Sequence, residues 1–271
     1  MVSQTGQRGP RWVMLQSPGL NTATFGVLLM LAVHLAVDAL YQQGGIVAQN
    51  EFYLSAGLSW EGLSKGQLWQ LFTHMWLHGN WSHLILNAVL FYYASARLSH
   101  LLSSLRIMIL FLICGLGAGA AHVMTQAFFP DFTQLPLGGA SGGIFGMLLG
   151  YFALSPDSRM LLIPASARNL GKGVLISSSF LFLLSLGLNI PPLEQLRVWL
   201  EGAFGEKLFK IAHLAHFVGG LLGWLLIPRF FPRLLTRDDL ARMRTESESI
   251  GTEVDGRAEG SESEFDEIAR P

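Results

Sequence analysis

Apolar residues along this chain come in long runs, and the polar residues collect between them. Six runs stand out: Phe25 to Tyr41, one opening near Ser82 ("SHLILNAVLFYYASARL"), Ile107 to Phe129, Ser141 to Leu154, Val174 to Leu188, and Leu208 to Phe230. A helix needs about 20 mostly apolar residues to cross a bilayer. The pattern therefore predicts an all-α polytopic membrane protein of six transmembrane helices, three of them short or weakened by polar residues. Between the first two runs lies a mixed segment, Gln42 to Trp81, rich in tryptophan and glycine and too polar to cross. It is expected to be a long extracytoplasmic first loop. The chain thus divides into an N-terminal segment (1–24), a six-helix domain (25–231) and a C-terminal tail (232–271).

Composition agrees with this pattern. Of 271 residues, 51% are hydrophobic and only 14% charged, against roughly 25% charged in a soluble domain. Mean hydropathy is +0.41. The net charge of −1 hides a segregation: from Asp238 onward there are eleven acidic and four basic residues, and before it fourteen basic and eight acidic. Serine-rich and poor in large apolar side chains, the tail cannot bury enough surface to fold alone, so it is expected to be disordered. Cys114 is the sole cysteine and sits in an apolar run, which makes it a packing residue and excludes a disulfide framework. The first twenty residues lack the apolar core of a cleavable leader, and none is expected.

Loop charges orient the bundle. Arg8 and Arg11, Arg97 and Arg106, Arg159, Arg168 and Lys172, and Arg229, Arg233 and Arg237 fall on one face, whereas the other holds Lys65, Arg197, Lys207 and Lys210. Basic loops stay cytoplasmic. Both termini are therefore expected in the cytoplasm, with the openings of spans two, four and six toward the outside.

Polar groups inside a membrane are costly and mark candidate functional sites. Three clusters qualify, all near the outer side. Ser141 opens span four within "GGASGG", Gly138 to Gly143. The glycines also suit close helix packing, since Gly142, Gly146 and Gly150 follow small-xxx-small spacing, and a serine hydroxyl is a weak nucleophile without a base in reach. Span six offers His213 and His216; His216 is followed by Gly219 and Gly223 on the same face, which would let span six approach span four. His216 is therefore preferred as the base. The third cluster, "HMWLHGNWSHLILN", contains His74, His78, His83 and Asn87. His83 and Asn87, four apart, share a helix face and could donate to an oxyanion. A metal site from His74, His78 and His83 is the competing reading, but no carboxylate or cysteine ligand lies nearby; no metal is expected, and His74 and His78 are expected to brace the loop through backbone hydrogen bonds. No acidic residue lies within spans two, four or six, so a Ser-His pair is expected rather than a triad with aspartate.

Together these clusters resemble the rhomboid family of intramembrane serine proteases. The order matches: "HLILN" on span two, "GASG" opening span four and "AHFVGGLLG" on span six, over roughly Gly26 to Pro228. The resemblance implies a six-transmembrane-helix rhomboid-like bundle of the basic prokaryotic form, without a seventh span. It implies Ser141 as nucleophile, His216 as general base, and an oxyanion hole from the Ser141 N–H, His83 and Asn87. Gly139, Gly142, Gly219 and Gly223 would support the site, with Phe145 packed against the histidine. The family's loop often carries Trp-Arg before the threonine and histidine; here "LWQLFTH" gives Trp69-Gln70. No cofactor and no nucleic-acid partner are implied. The expected partners are transmembrane protein substrates and the lipid bilayer, and the expected location is a bacterial inner membrane. Two alternatives stand beside this: a catalytically silent relative that binds transmembrane clients, and a small-molecule transporter, for which the chain offers no internal repeat.

Overall fold

The computed structural model describes residues 21–129, 135–160, 163–186, 188, 190–205, 208–209 and 212–230. The N-terminal segment as far as residue 20 and the 232–271 tail lie outside these. Helix α1 (Thr22–Ala56) is capped by Asn21, whose Oδ1 accepts from Thr24 N–H at 3.0 Å. Gly26, Met30, His34 and Val37 bury one stripe of it, and Gly26 lies where a Cβ would run into the Phe91 ring. The helix breaks at Gly45, whose φ of 65° is the left-handed conformation that glycine adopts without steric cost. Two short helices, α2 (Trp60–Ser64) and α3 (Gln70–Thr73), and a 3-10 turn, His74–Trp76, complete the segment before α4 (Trp81–Leu98).

Helix α5 (Ser104–Phe128) leads to α6 (Ser141–Leu154). A two-stranded antiparallel hairpin, β1 (Arg159–Met160) and β2 (Ile163–Ser166), pairs Arg159 with Ser166 and Met160 with Ile163. Helices α7 (Ala167–Ser185), α8 (Pro191–Phe204) and α9 (His213–Phe230) follow. Helix α6 is the hub, with α9 and α5 against it most extensively and α4 and α7 beside them. Ten of its fourteen residues are buried, as befits a helix apolar on every side. Glycines permit the approach. A Cβ on Gly219 or Gly223 of α9 would fall on the carbonyl of Gly142 or Gly146, and one on Gly146 would lie 2.9 Å from the Gly219 oxygen.

Two helices, α1 and α5, are long and apolar enough to cross a membrane, and α6 is a shorter apolar helix. Large apolar side chains also point outward, among them Leu86, Val89 and Leu105, Ile176 and Phe180. Such a surface suits lipid contact.

Several boundaries differ from the sequence pattern. Helix α1 runs on past Tyr41 to Ala56, and α7 starts at Ala167, before the expected Val174. Polarity marks where an apolar run ends, not where hydrogen-bonded helix ends. Helix α8 falls where a loop was expected because Glu194, Arg197 and Glu201 interrupt its apolar residues. Its start at Pro191-Pro192 and its stop at Gly205, φ 85°, are local signals that the run pattern passes over. Helix α9 begins at His213, five residues later than Leu208.

Candidate active site

The site forms where the N-terminus of α6 meets α9 and α4. Ala140 precedes α6 without a side-chain cap, so the first backbone N–H groups of the helix, beginning at Ser141, lack intrahelical acceptors and form its positive end. The chain reaches Ser141 through Gly139, whose φ of 136° is open to glycine and strained for other residues. A Cβ there would sit 3.0 Å from His83 Cε1, 3.1 Å from His83 Nε2 and 3.8 Å from Asn87 Nδ2. Glycine at 139 therefore leaves space in front of both side chains.

Ser141 Oγ and His216 Nε2 are 2.8 Å apart, a hydrogen bond between residues 75 positions distant in sequence. With the hydroxyl donating, Nε2 accepts, the arrangement needed to take the proton from an attacking serine. Phe145 stacks on the His216 ring, centroids 4.3 Å apart and planes inclined by 17°, which limits the ring's rotation. His213 is directed elsewhere: its Nε2 bonds to the Leu208 carbonyl at 2.7 Å. Of the two histidines, only His216 meets the serine.

On α4, Asn80 Oδ1 accepts from the His83 N–H at 2.8 Å and caps the helix, setting the position of His83. Asn87 is 3% exposed, and its Nδ2 has no hydrogen-bond partner among the described residues. A buried amide donor left unpaired beside a glycine-opened space is suited to an incoming oxygen.

The first loop is held by polar side chains. His74 Nδ1 donates to the Gln70 carbonyl at 2.9 Å, and His78 Nδ1 to that of Trp76 at 3.1 Å. Both rings are buried, and burial lowers each pKa from the usual 6.5 to about 4. Among the described residues no three His, Cys, Asp or Glu side chains converge as a metal ligand set. Gln70, standing where the arginine often occurs, is fully buried. Its Oε1 accepts from Ser59 N–H at 3.1 Å, and its Nε2 donates to the Leu54 carbonyl at 3.0 Å and to Gln67 Oε1 at 2.7 Å. Gly62 makes room, since a Cβ there would strike the Gln70 carboxamide.

Sequence reasoning passed over His122 and Gln126 on α5. Gln126 Oε1 accepts from Trp60 N–H at 2.9 Å and its Nε2 donates to the Leu135 carbonyl at 3.1 Å, so it ties the first loop to the segment before Ser141. Backbone bonds between Leu58 and Leu137 and from Gly139 N–H to the His74 carbonyl reinforce the tie. The missed signal was a polar pair four residues apart within an apolar helix.

Residues 65–233 match the rhomboid domain family model. Rhomboid protease GluP of Bacillus subtilis (strain 168) is 26% identical over 226 residues, covering 82% of this chain and 37% of that protein. RHOMBOID-like protein 7 of Arabidopsis thaliana is 29% identical over 171 residues, 61% of this chain and 46% of its own. The chain thus spans less than half the length of these curated relatives. The family match covers most of the chain and takes in the serine, both α4 side chains and the histidine, and the chain belongs to the rhomboid family of membrane proteins.

Proposed function

We propose that the protein is an intramembrane serine protease that cleaves transmembrane protein substrates near the extracytoplasmic membrane face with Ser141 and His216. The observation that carries this reading is the 2.8 Å hydrogen bond between Ser141 Oγ and His216 Nε2, on a ring stacked by Phe145. Six spans (α1, α4, α5, α6, α7 and α9) with both termini cytoplasmic, in a bacterial inner membrane, complete the proposal. Half-buried exposure of Ser141 and His216 is compatible with a site that admits both peptide and water.

The chemistry follows. His216 Nε2 takes the hydroxyl proton as Ser141 Oγ attacks a substrate carbonyl. The oxyanion is held by the Ser141 N–H, His83 and Asn87 Nδ2, a single such donor being worth about 3 kcal/mol in the transition state. His216 then protonates the leaving amine, and water cleaves the acyl-enzyme by the reverse proton path. A substrate helix must unwind first, because its carbonyls are engaged in i to i−4 hydrogen bonds.

A fluorophosphonate probe tests the reading on detergent-purified protein. Labelling of the wild type, lost in Ser141→Ala and His216→Ala, is expected, together with cleavage of a transmembrane substrate in proteoliposomes. A folded wild type that neither labels nor cleaves would overturn the reading in favour of a silent, client-binding relative.

A further inference from the structure

Helix α8 supplies nothing to this chemistry, and none of its residues is buried. Its apolar residues nevertheless keep a strict helical spacing. Leu196, Trp199, Leu200, Ala203 and Phe204 stand at i, i+3, i+4, i+7 and i+8, one stripe along the helix. Trp199 is 64% exposed and Phe204 68%. The stripe is turned away from α7, because Leu193, Glu194 and Arg197, on another side of α8, share a cleft with Leu183 and Leu184 at the end of α7. The polar side is internally satisfied. Arg197 Nε donates to Glu201 Oε1 at 3.0 Å, and the Arg197 guanidinium lies 5.8 Å from the centre of the Phe209 ring.

The place of α8 in the bundle indicates what meets this stripe. The start of α7 packs on the end of α9, where Gly171 lies against the Trp224 ring. The end of α7, helix α8 and the start of α9 therefore belong to the end of the bundle that holds Ser141 and His216. Ile176, Phe180 and Leu183 of α7 are exposed, and exposed Leu188 and Ile190 carry that apolar surface on to α8. Water does not suit a continuous apolar surface of this kind. Crossing the bilayer is closed to α8, since its 14 residues extend only about 21 Å, short of a hydrocarbon core of about 30 Å. An amphipathic helix with tryptophan on its apolar stripe fits the boundary between membrane and water.

We propose that α8 lies in the plane of the outer membrane interface, with Leu196, Trp199, Leu200, Ala203 and Phe204 sunk into the lipid just below the headgroups. The partner is the phospholipid surface, met through apolar burial. Glu194, Arg197 and Glu201 sum to one negative charge, which offers anionic headgroups no attraction. The proposal rests on the six-span arrangement, in which α7 crosses the bilayer.

Nitroxide labels on added cysteines test it in the full chain, reconstituted in phosphatidylcholine vesicles. Cys114, fully buried, stays in place, and the parent chain treated with the same label gives the background. Leu196→Cys and Ala203→Cys lie on the stripe two turns apart, Glu194→Cys and Val198→Cys on the opposite side, and Ile176→Cys and Phe180→Cys on α7. Relaxation by oxygen, which concentrates in lipid, against a nickel chelate confined to water reads the depth of each label. We expect the labels at 196 and 203 in lipid at equal depth, about 5–10 Å below the surface, those at 194 and 198 in water, and those on α7 in lipid. Should Leu196→Cys not fold, Trp199→Cys takes its place. Labels at 196 and 203 as open to the chelate as the label at 198 would overturn the proposal. So would depths differing by about 10 Å, the rise over seven residues of a helix standing upright. Shielding from both reagents, as a second copy of the chain seated on the stripe would give, overturns it too. Labels on α7 found in water overturn the six-span arrangement instead, and those at 196 and 203 still report where α8 lies.

Discussion

Asn87 and Gln70 are both amides buried among apolar residues, yet their situations are opposite. Gln70 has its carboxamide fully engaged, whereas Asn87 Nδ2 has no partner among the described residues. Their variants should therefore fail differently. Gln70→Ala strands the Ser59 N–H and the Leu54 carbonyl, and a buried group left unsatisfied costs about 1–3 kcal/mol. Its thermal unfolding in detergent should shift down, and the first loop should become the early site of proteolytic nicking. On the protease reading, Asn87→Ala should fold normally and lower kcat by about 10²–10³, with KM little changed, as loss of a transition-state donor does. Steady-state kinetics on a transmembrane substrate, with unfolding curves alongside, separates the two outcomes.

At the scale of elements, the α6–α9 contact decides whether Ser141 and His216 can meet. Gly219 and Gly223 face backbone carbonyls that cannot step aside, while Gly220 faces the Leu149 Cδ2 methyl at 2.7 Å, which can rotate. Gly219→Ala and Gly223→Ala should push the helices apart, destabilise by at least the 1–3 kcal/mol usual for overpacking, and, on the protease reading, abolish fluorophosphonate labelling. Gly220→Ala should be milder on both counts. Gly202, in α8, has nothing within 4 Å of an added Cβ. Gly202→Ala should therefore stabilise by roughly 0.5–1 kcal/mol through helix propensity, without altering labelling. Unfolding midpoints and labelling rates across the four variants check the ranking.

Across the whole molecule, the buried loop histidines make stability depend on pH. His74 and His78 have folded pKa values lowered by burial to about 4, against 6.5 when exposed. Between those values the unfolded chain binds protons that the folded chain does not, so stability rises with pH across this window. Their contribution is fully present above about pH 6.5 and is lost as the pH falls toward 4. Unfolding midpoints in detergent should fall over that range, and His74→Gln should flatten the slope. A midpoint independent of pH between 6.5 and 4 would contradict the burial of these rings.

Helix α6 and Ser141 at its start were readable from sequence, because a glycine-flanked serine at the head of an apolar run is a local signal. Helix α4 and the His83–Asn87 face were readable for the same reason, since helical periodicity alone places residues four apart together. The glycines below His216 favour that ring over His213 as the neighbour of Ser141, and Ser141 Oγ lies 2.8 Å from His216 Nε2 where those glycines remove the atoms that would keep two backbones apart. Other features depend on separations that no local pattern encodes. Gln70 holding the loop, Gln126 joining that loop to the segment before the serine, and His34 of α1 meeting Trp81 at the start of α4 all bring together residues from different elements. Side-chain reach and burial decide such contacts, and both exist only once the helices have packed.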